Sequence, residues 1–289
     1  MGRCSACIVL ILALIQTASA EIVVKSGEKI AFLGDSITAN GWSNPVGYVR
    51  LVMAGLAANG VNAEALPAGK SGHKSNDMLQ RVDNEVLSKK PQWMTLSCGV
   101  NDVWHGKTGV PLDDEMAAKG IYELKGCGTY KKNLAQIVEK AQAAGVKVVI
   151  LTSTGISEDL SSPLNQTLAP YNDFLRQFAK EKQLPLADLN GMFRERIKAE
   201  NKTGTKVLTR DGVHMNFEGD KLMATGILQT FGLDAEQLKK AQDAWGLLAA
   251  QADKETKAKW AAINAAKAAA KSPAPAQETT PVKVSPPTP

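Results

Sequence analysis

The chain has 289 residues, 44% of them hydrophobic and 22% charged, which suffices for one sizeable core and is too apolar for a disordered protein. Its formal charge of +5 is unevenly spread: Arg3 supplies one unit and residues 251–289, with six lysines against three acids, supply three, leaving +1 for residues 21–250. With no basic patch or aromatic-rich binding motif there, phosphate-backbone recognition has little to work with, and no nucleic-acid partner is expected.

In chain order, Arg3, the apolar stretch Ile8–Ile15 and Ala18-Ser19-Ala20 read as a secretory signal peptide over residues 1–20, cleaved before Glu21. The stretch is short for a membrane span, and lipoprotein processing would need a cysteine where Glu21 stands. A soluble secreted or periplasmic protein with no transmembrane segment in the mature chain is expected. Apolar runs then alternate with helical patterns. Lys29–Leu33 reads as a strand, Tyr48–Ala58 as a helix, Asn62–Leu66 as a strand, Ser75–Leu87 as a helix and Trp93–Cys98 as a strand. A helix follows over Tyr130–Ala144, then a strand over Val146–Leu151, a helix over Asn165–Glu181, a short strand over Leu184–Ala187 and a helix over Asn216–Thr230. Gly60 and Gly145 stand where helices should stop. Five strands with intervening helices imply a parallel sheet covered on both faces. Segment 104–127 lacks a clear period, contains several glycines and reads as a long active-site loop. One α/β domain is expected over 21–232, a helical extension rich in Ala and Lys over 233–271, and a disordered Pro-rich tail over 272–289.

Three segments carry chemistry. Phe32-Leu33-Gly34-Asp35-Ser36 places an apolar run before a tight turn and lifts Ser36 to the end of a predicted strand. A serine hydroxyl is a poor nucleophile unless a base within hydrogen-bond reach is steadied by a carboxylate. Asp211-Gly212-Val213-His214 offers both, since its three-residue spacing lets one turn of backbone present Asp211 and His214 on the same side. Acyl transfer also needs donors where an oxyanion develops, and the candidates are the Ser36 N–H, the Gly72 N–H and the Asn101 side-chain amide. Each piece alone is ordinary turn chemistry. Their order, after strands and before a helix, points to a serine esterase. Asp188 is the competing acid, with helix capping as its bland alternative. Asp35 and Asp102 are expected to hold their own turns.

The pattern resembles the SGNH hydrolases, also called the GDSL esterase/lipase family, over roughly residues 28–232. Gly34-Asp35-Ser36-Ile37-Thr38, Ala68-Gly69-Lys70-Ser71-Gly72, Gly99-Val100-Asn101-Asp102 and Asp211-Gly212-Val213-His214 match its blocks in order, with Pro67 standing where an Asn is often found. The resemblance implies a three-layer α/β/α sandwich with a five-stranded parallel sheet of the flavodoxin-like kind, and an acyl-serine mechanism without a cofactor. The serine lies outside a Gly-x-Ser-x-Gly elbow, which argues against the α/β-hydrolase fold.

Substrate signals are thinner. Trp42 and Trp104 follow the Ser36 and Asn101 segments and are candidate sugar platforms, their bland alternative being to cover the sheet edge. His73 and His105 adjoin the oxyanion candidates and suit substrate contact better than a base role. Cys98 and Cys127 could pair in an oxidising compartment, or Cys98 could pack as a free thiol. An exported location favours removal of O-acetyl groups from carbohydrate. A lysophospholipase or thioesterase, a non-catalytic glycan-binding protein on the same fold and a metal-dependent deacetylase are the alternatives; the three separated histidines make a poor metal site, so no metal is expected. Oligomeric state stays open.

Overall fold

The computed structural model describes residues 21–200 and 206–271, so the expected leader (1–20) and Pro-rich tail (272–289) lie outside the described residues. From the N-terminal side the elements are β1 (Lys29–Gly34), α1 (Ser36–Ser43), α2 (Tyr48–Ala58), β2 (Glu64–Gly69), α3 (Ser75–Glu85), β3 (Trp93–Ser97), α4 (Val100–Trp104) and α5 (Asp114–Ala118). They continue with α6 (Tyr130–Ala143), β4 (Lys147–Leu151), α7 (Pro163–Glu181), β5 (Leu186–Ala187), α8 (Leu189–Glu200), α9 (Phe217–Thr230) and α10 (Ala235–Lys271). The five strands form one all-parallel sheet in the order β2-β1-β3-β4-β5.

A parallel sheet must be covered on both faces, which is why Ile30–Leu33 of β1 and all of β3 are buried apolar or hydroxyl residues. Helices cover it in two groups, α2 with α9 and α8, and α3 with α6, giving the three-layer α/β/α sandwich. The strand order reverses direction between β1 and β3, and a crevice opens at the carboxyl ends of such a pair. Ser36 follows β1 and Asn101 follows β3, so the topology alone brings them to one rim.

Helices α1, α4 and α8 add to the chain-order sequence reading, and β2, β5 and segment 104–127 differ from it. Strand β2 runs on through Pro67-Ala68-Gly69, which reads locally as a turn, because it pairs with β1 as far as Gly34↔Gly69. Pro67 is tolerated because β2 is an edge strand. Strand β5 shrinks to two residues because the Leu184 N–H bonds back to Ala179 O at the end of α7. Segment 104–127 is more ordered than a bare loop, with a 3-10 turn at Gly106–Thr108 and the short α5, whose Asp113 caps it by accepting from the Met116 N–H.

The compact unit that holds the sheet extends to Leu248. Within it the start of α10 packs firmly: Leu238, Ala241 and Trp245 are buried, and the Trp245 indole N–H donates to Leu51 O at 2.7 Å. A second unit begins at Ala249 and is helical to Lys271, with Trp260 exposed. Among the described residues no helix is long and apolar enough to cross a membrane.

One long-range cap ties the two ends of the domain. Helix α2 begins after Gly47, which has no side chain to offer, and the buried Asp220 of α9 instead accepts the Tyr48 N–H at 2.8 Å. Burial raises the Asp220 carboxyl to about 7, against the Tyr48 N–H bond and the attraction of Arg210, which pull it down. The folded state therefore keeps a proton that the unfolded chain releases from about pH 3.8. This contribution to stability is complete below that pH and is lost as pH rises to about 7. Asp220→Asn keeps an acceptor for Tyr48 and removes the titration, so its melting temperature should fall less between about pH 5 and about pH 8 than the wild type's. Circular-dichroism melts at the two pH values check this; parallel slopes would remove Asp220 as the cause.

Candidate active site

The end of β1 is built for a close approach. A Cβ on Gly34 would sit 2.0 Å from Thr38 Oγ1, so only glycine lets the chain turn directly into α1. Asp35 then caps α1, its carboxylate accepting the Ile37 N–H at 2.9 Å, as its turn-holding reading requires. Ser36 is thereby the first residue of a helix rather than part of an irregular turn. That registers its side chain and points its backbone N–H out of the helix start.

His214 Nε2 lies 2.9 Å from Ser36 Oγ, and His214 Nδ1 lies 2.7 Å from Asp211 Oδ2. Asp211 also accepts the Val213 and His214 N–H groups on its other oxygen, which locks the three-residue turn. Burial pushes the Asp211 carboxyl up, but these hydrogen bonds and the imidazole beside it outweigh burial and hold it at about 2. An ionised carboxylate can only accept, so the ring proton sits on Nδ1 and leaves Nε2 as the acceptor for the Ser36 hydroxyl.

The oxyanion candidates converge on the same cleft, of about 430 Å³, lined by Ser36, Gly72, Asn101 and His214 together with Ser71. Gly72 adopts φ +77°, a left-handed conformation that favours glycine and turns the loop after β2 into the cleft. Asn101, in the first turn of α4, donates one amide N–H to His73 O at 3.1 Å, which fixes the plane of the amide.

The remaining candidates divide. Trp104 and His105 line the cleft, with Trp104 44% exposed and its ring centroid 6.5 Å from that of His214. Trp42 is not among its lining residues: the Arg50 guanidinium lies 3.6 Å over its ring, and it is partly buried against the core. The His73 side chain is likewise absent from the lining and accepts from Arg81 Nε at 3.2 Å through Nδ1. Burial and the Arg81 charge lower its pKa, keeping it a neutral acceptor. Cys98 and Cys127 are unpaired. The Cys98 thiol donates to Asp102 and the Cys127 thiol turns to Leu124 O and Gly128 O, so the staple is not formed. Asp102 holds another helix rather than its own turn, accepting the Ser75 N–H and hydroxyl at the start of α3. Asp188 caps α8 through the Gly191 N–H and pairs with Arg176, away from His214.

Two contributors escaped the sequence reading. Asn40 lines the cleft one helical turn after Ser36, a signal available once α1 is known to start at Ser36. Arg81 is 6% exposed, and its guanidinium donates to Gly34 O at 2.9 Å and Ala68 O at 2.8 Å, joining the ends of β1 and β2. Its sequence signal is a charge on the buried face of α3 beside Met78 and Val82.

A doubly wound parallel sheet with Ser36 after β1, Gly72 after β2, Asn101 after β3 and the Asp211–His214 turn beside them defines an SGNH-type ester hydrolase. Residues 32–222 match the GDSL-like lipase/acylhydrolase family, and the chain belongs to it. It is similar to the acetylxylan esterase of Geobacillus stearothermophilus, 26% identical over 73% of this chain and 97% of that one, and to its crystal structure with a TM-score of 0.59. The crystal structure of the acetyl xylan esterase AlAXEase is 31% identical, covers 70% of this chain and 98% of its own, and gives a TM-score of 0.58. Esterase TesA of Pseudomonas aeruginosa is 28% identical over 51% of this chain and 61% of that one. Catalytic mutants of the Geobacillus enzyme replace a serine, an aspartate and a histidine, the last two three positions apart, as Asp211 and His214 are here.

The depressed Asp211 pKa rests on the His214 ring more than on any other partner, so His214→Ala should move its titration midpoint from about 2 back toward the ordinary aspartate value of 3.8. Carboxyl ¹³C NMR of the two proteins measures this, and an unmoved midpoint would assign the depression to the backbone N–H groups.

Proposed function

We propose that the protein is an exported serine esterase that removes O-acetyl groups from carbohydrate through an acyl-serine intermediate. The observation that carries the catalytic reading is the 2.9 Å contact of Ser36 Oγ with His214 Nε2, backed by Asp211 on the far side of the ring. Ser36 attacks the ester carbonyl while His214 takes its proton, and Asp211 stabilises the imidazolium. The Ser36 N–H, the Gly72 N–H and the Asn101 amide receive the oxyanion. His214 then protonates the leaving alcohol; the same base activates the water that releases acetate from Ser36.

The acetyl and carbohydrate assignments draw on the cleft and on the acetylxylan esterases among the relatives. Its lining includes no aliphatic side chain, which suits a small acyl group on a polar alcohol. Of the apolar residues of segment 104–127 that a long acyl chain would need, Leu112 is buried and Met116 and Leu124 pack against the core, which leaves Ile121 as the exposed one. Trp104 offers a half-exposed aromatic face beside His214, the arrangement that holds a sugar ring. Export rests on the signal-peptide pattern of residues 1–20.

Residues 21–289 should release acetate from acetylated xylan or a chromogenic acetyl ester, Ser36→Ala should abolish this without unfolding the protein, and Asn101→Ala should lower kcat about a hundredfold. Turnover by folded Ser36→Ala would sink the assignment, and release of fatty acid from a lysophospholipid alone would replace it with a lipase. Trp104→Ala should raise KM for acetylated xylan roughly tenfold while leaving the small chromogenic ester almost untouched. Equal effects on both substrates would deny Trp104 a part in holding the glycan.

A further inference from the structure

The Asp211–His214 turn is exposed on one side, with Asp211 53% exposed, and its internal hydrogen bonds fix its shape but not its place in the fold. Its footing is the segment Val207–Thr209, and that footing is held by a carboxylate from a different part of the fold. Glu158, in the loop after β4, accepts the Val207 N–H at 2.5 Å on one oxygen. Its other oxygen accepts the Leu208 and Thr209 N–H groups at 2.9 and 2.7 Å and the Thr209 hydroxyl at 2.6 Å. The buried Thr209 hydroxyl oxygen in turn accepts the Gly212 N–H at 3.1 Å, inside the turn itself.

The Glu158 loop is itself rigid. Buried Asn165 of α7 accepts the Ile156 N–H and donates to Ser157 O and Asp159 O, bracketing Glu158 on both sides. Four donors of one segment converge on this carboxylate, three on Oε1 and one on Oε2. Three successive backbone N–H groups aimed at one anion form a nest, a geometry that fixes the backbone more tightly than neutral pairs do.

We propose that Glu158 is a positioning residue that sets the distance between His214 and Ser36 by anchoring Val207–Thr209. It acts through the turn and touches no reacting atom. The inference rests on the esterase reading for its kinetic consequence, but its structural content stands apart.

The test uses full-length mature protein carrying Glu158→Ala, Glu158→Gln or Thr209→Val, each alone and with Asp211→Asn. Glu158→Ala should lower kcat roughly ten- to a hundredfold with KM within about twofold, since a small displacement of the base costs rate more than binding. Glu158→Gln should fall between, because its amide nitrogen cannot accept. In the Asp211→Asn background the Glu158→Ala loss should shrink to about twofold, because the two act as a unit. A full, additive loss there, or an unchanged kcat in a folded Glu158→Ala protein, would overturn the proposal. If Glu158→Ala fails to fold, Thr209→Val decides by the same criteria.

A second readout does not need turnover. In Ser36→Ala protein, the downfield proton resonance of the His214 ring N–H given to Asp211 should broaden or vanish on adding Glu158→Ala. A sharp, unshifted resonance would overturn the proposal even if the protein hydrolyses no ester. Loss of that resonance in a protein without Ser36-dependent activity would uphold the positioning and reject the esterase reading.

Discussion

The buried guanidinium of Arg81 is the constraint on which the rest of the site depends. At the ends of β1 and β2, Gly34 O, which also accepts the Lys70 N–H, and Ala68 O face the same buried point. One planar N–H₂ satisfies both, which a lysine ammonium could match in charge but not in forked geometry. A buried cation is costly unless paired, and Glu85, reached through Nη1, supplies the countercharge while Lys70 holds Glu85 from the solvent side. The remaining nitrogen, Nε, reaches His73, whose backbone oxygen fixes the Asn101 amide. The nucleophile turn, the Gly72 loop and the Asn101 amide are thus all referred to one side chain that never enters the cleft.

The carboxylates around the site separate by environment in a way that matches their uses. Burial raises Asp35 and Asp102 to about 6, opposed in each case by the hydrogen bonds they accept. They hold backbone: Asp35 the start of α1, Asp102 the start of α3. Asp211 stands in water on one side and is held at about 2, so full negative charge is available where an imidazolium would form. Carboxylates whose pKa values are pushed apart in this way mark a division between structural and functional groups. Cys98 belongs to the structural set. Its thiol is buried and donates to Asp102; burial, and then the charges of Asp102 and Asp35, push its pKa up and keep it a donor.

Much of this was legible in the sequence because it is local. Ser36 follows an apolar run, Asp211 and His214 share a turn, and Asn101 follows a second run, so local pattern together with the family resemblance singles out residues that the structure brings to one cleft. What was not legible depends on partners distant in sequence. The extension of β2 through Pro67 needs β1 beside it, and the cover over Trp42 needs Arg50 above its ring. Helix α1 was hidden because Asn40 and Gly41 are poor helix formers and its cap, Asp35, reads equally well as a turn residue. Arg81 gave a charge on an apolar helix face, a signal that says something is paired without saying what.

The two halves of the site are therefore stabilised by different physics. Ser36, Gly72 and Asn101 stand on strand ends, where sheet register and a buried cation fix them to the core. Asp211 and His214 stand on a turn outside the sheet, whose backbone N–H groups point at side-chain oxygens rather than at other strands. The cleft rim beyond Trp104, the last residue of α4, is attached differently again. The turn after Trp104 is tied to segment 104–127 by the Glu123 N–H to Lys107 O bond and an exposed Lys107–Glu123 ion pair, which contributes little in water. On the proposed function, chemistry and recognition can vary separately, so a change at Trp104 or His105 would alter which alcohol is accepted while the Ser36–His214 distance stays as it is.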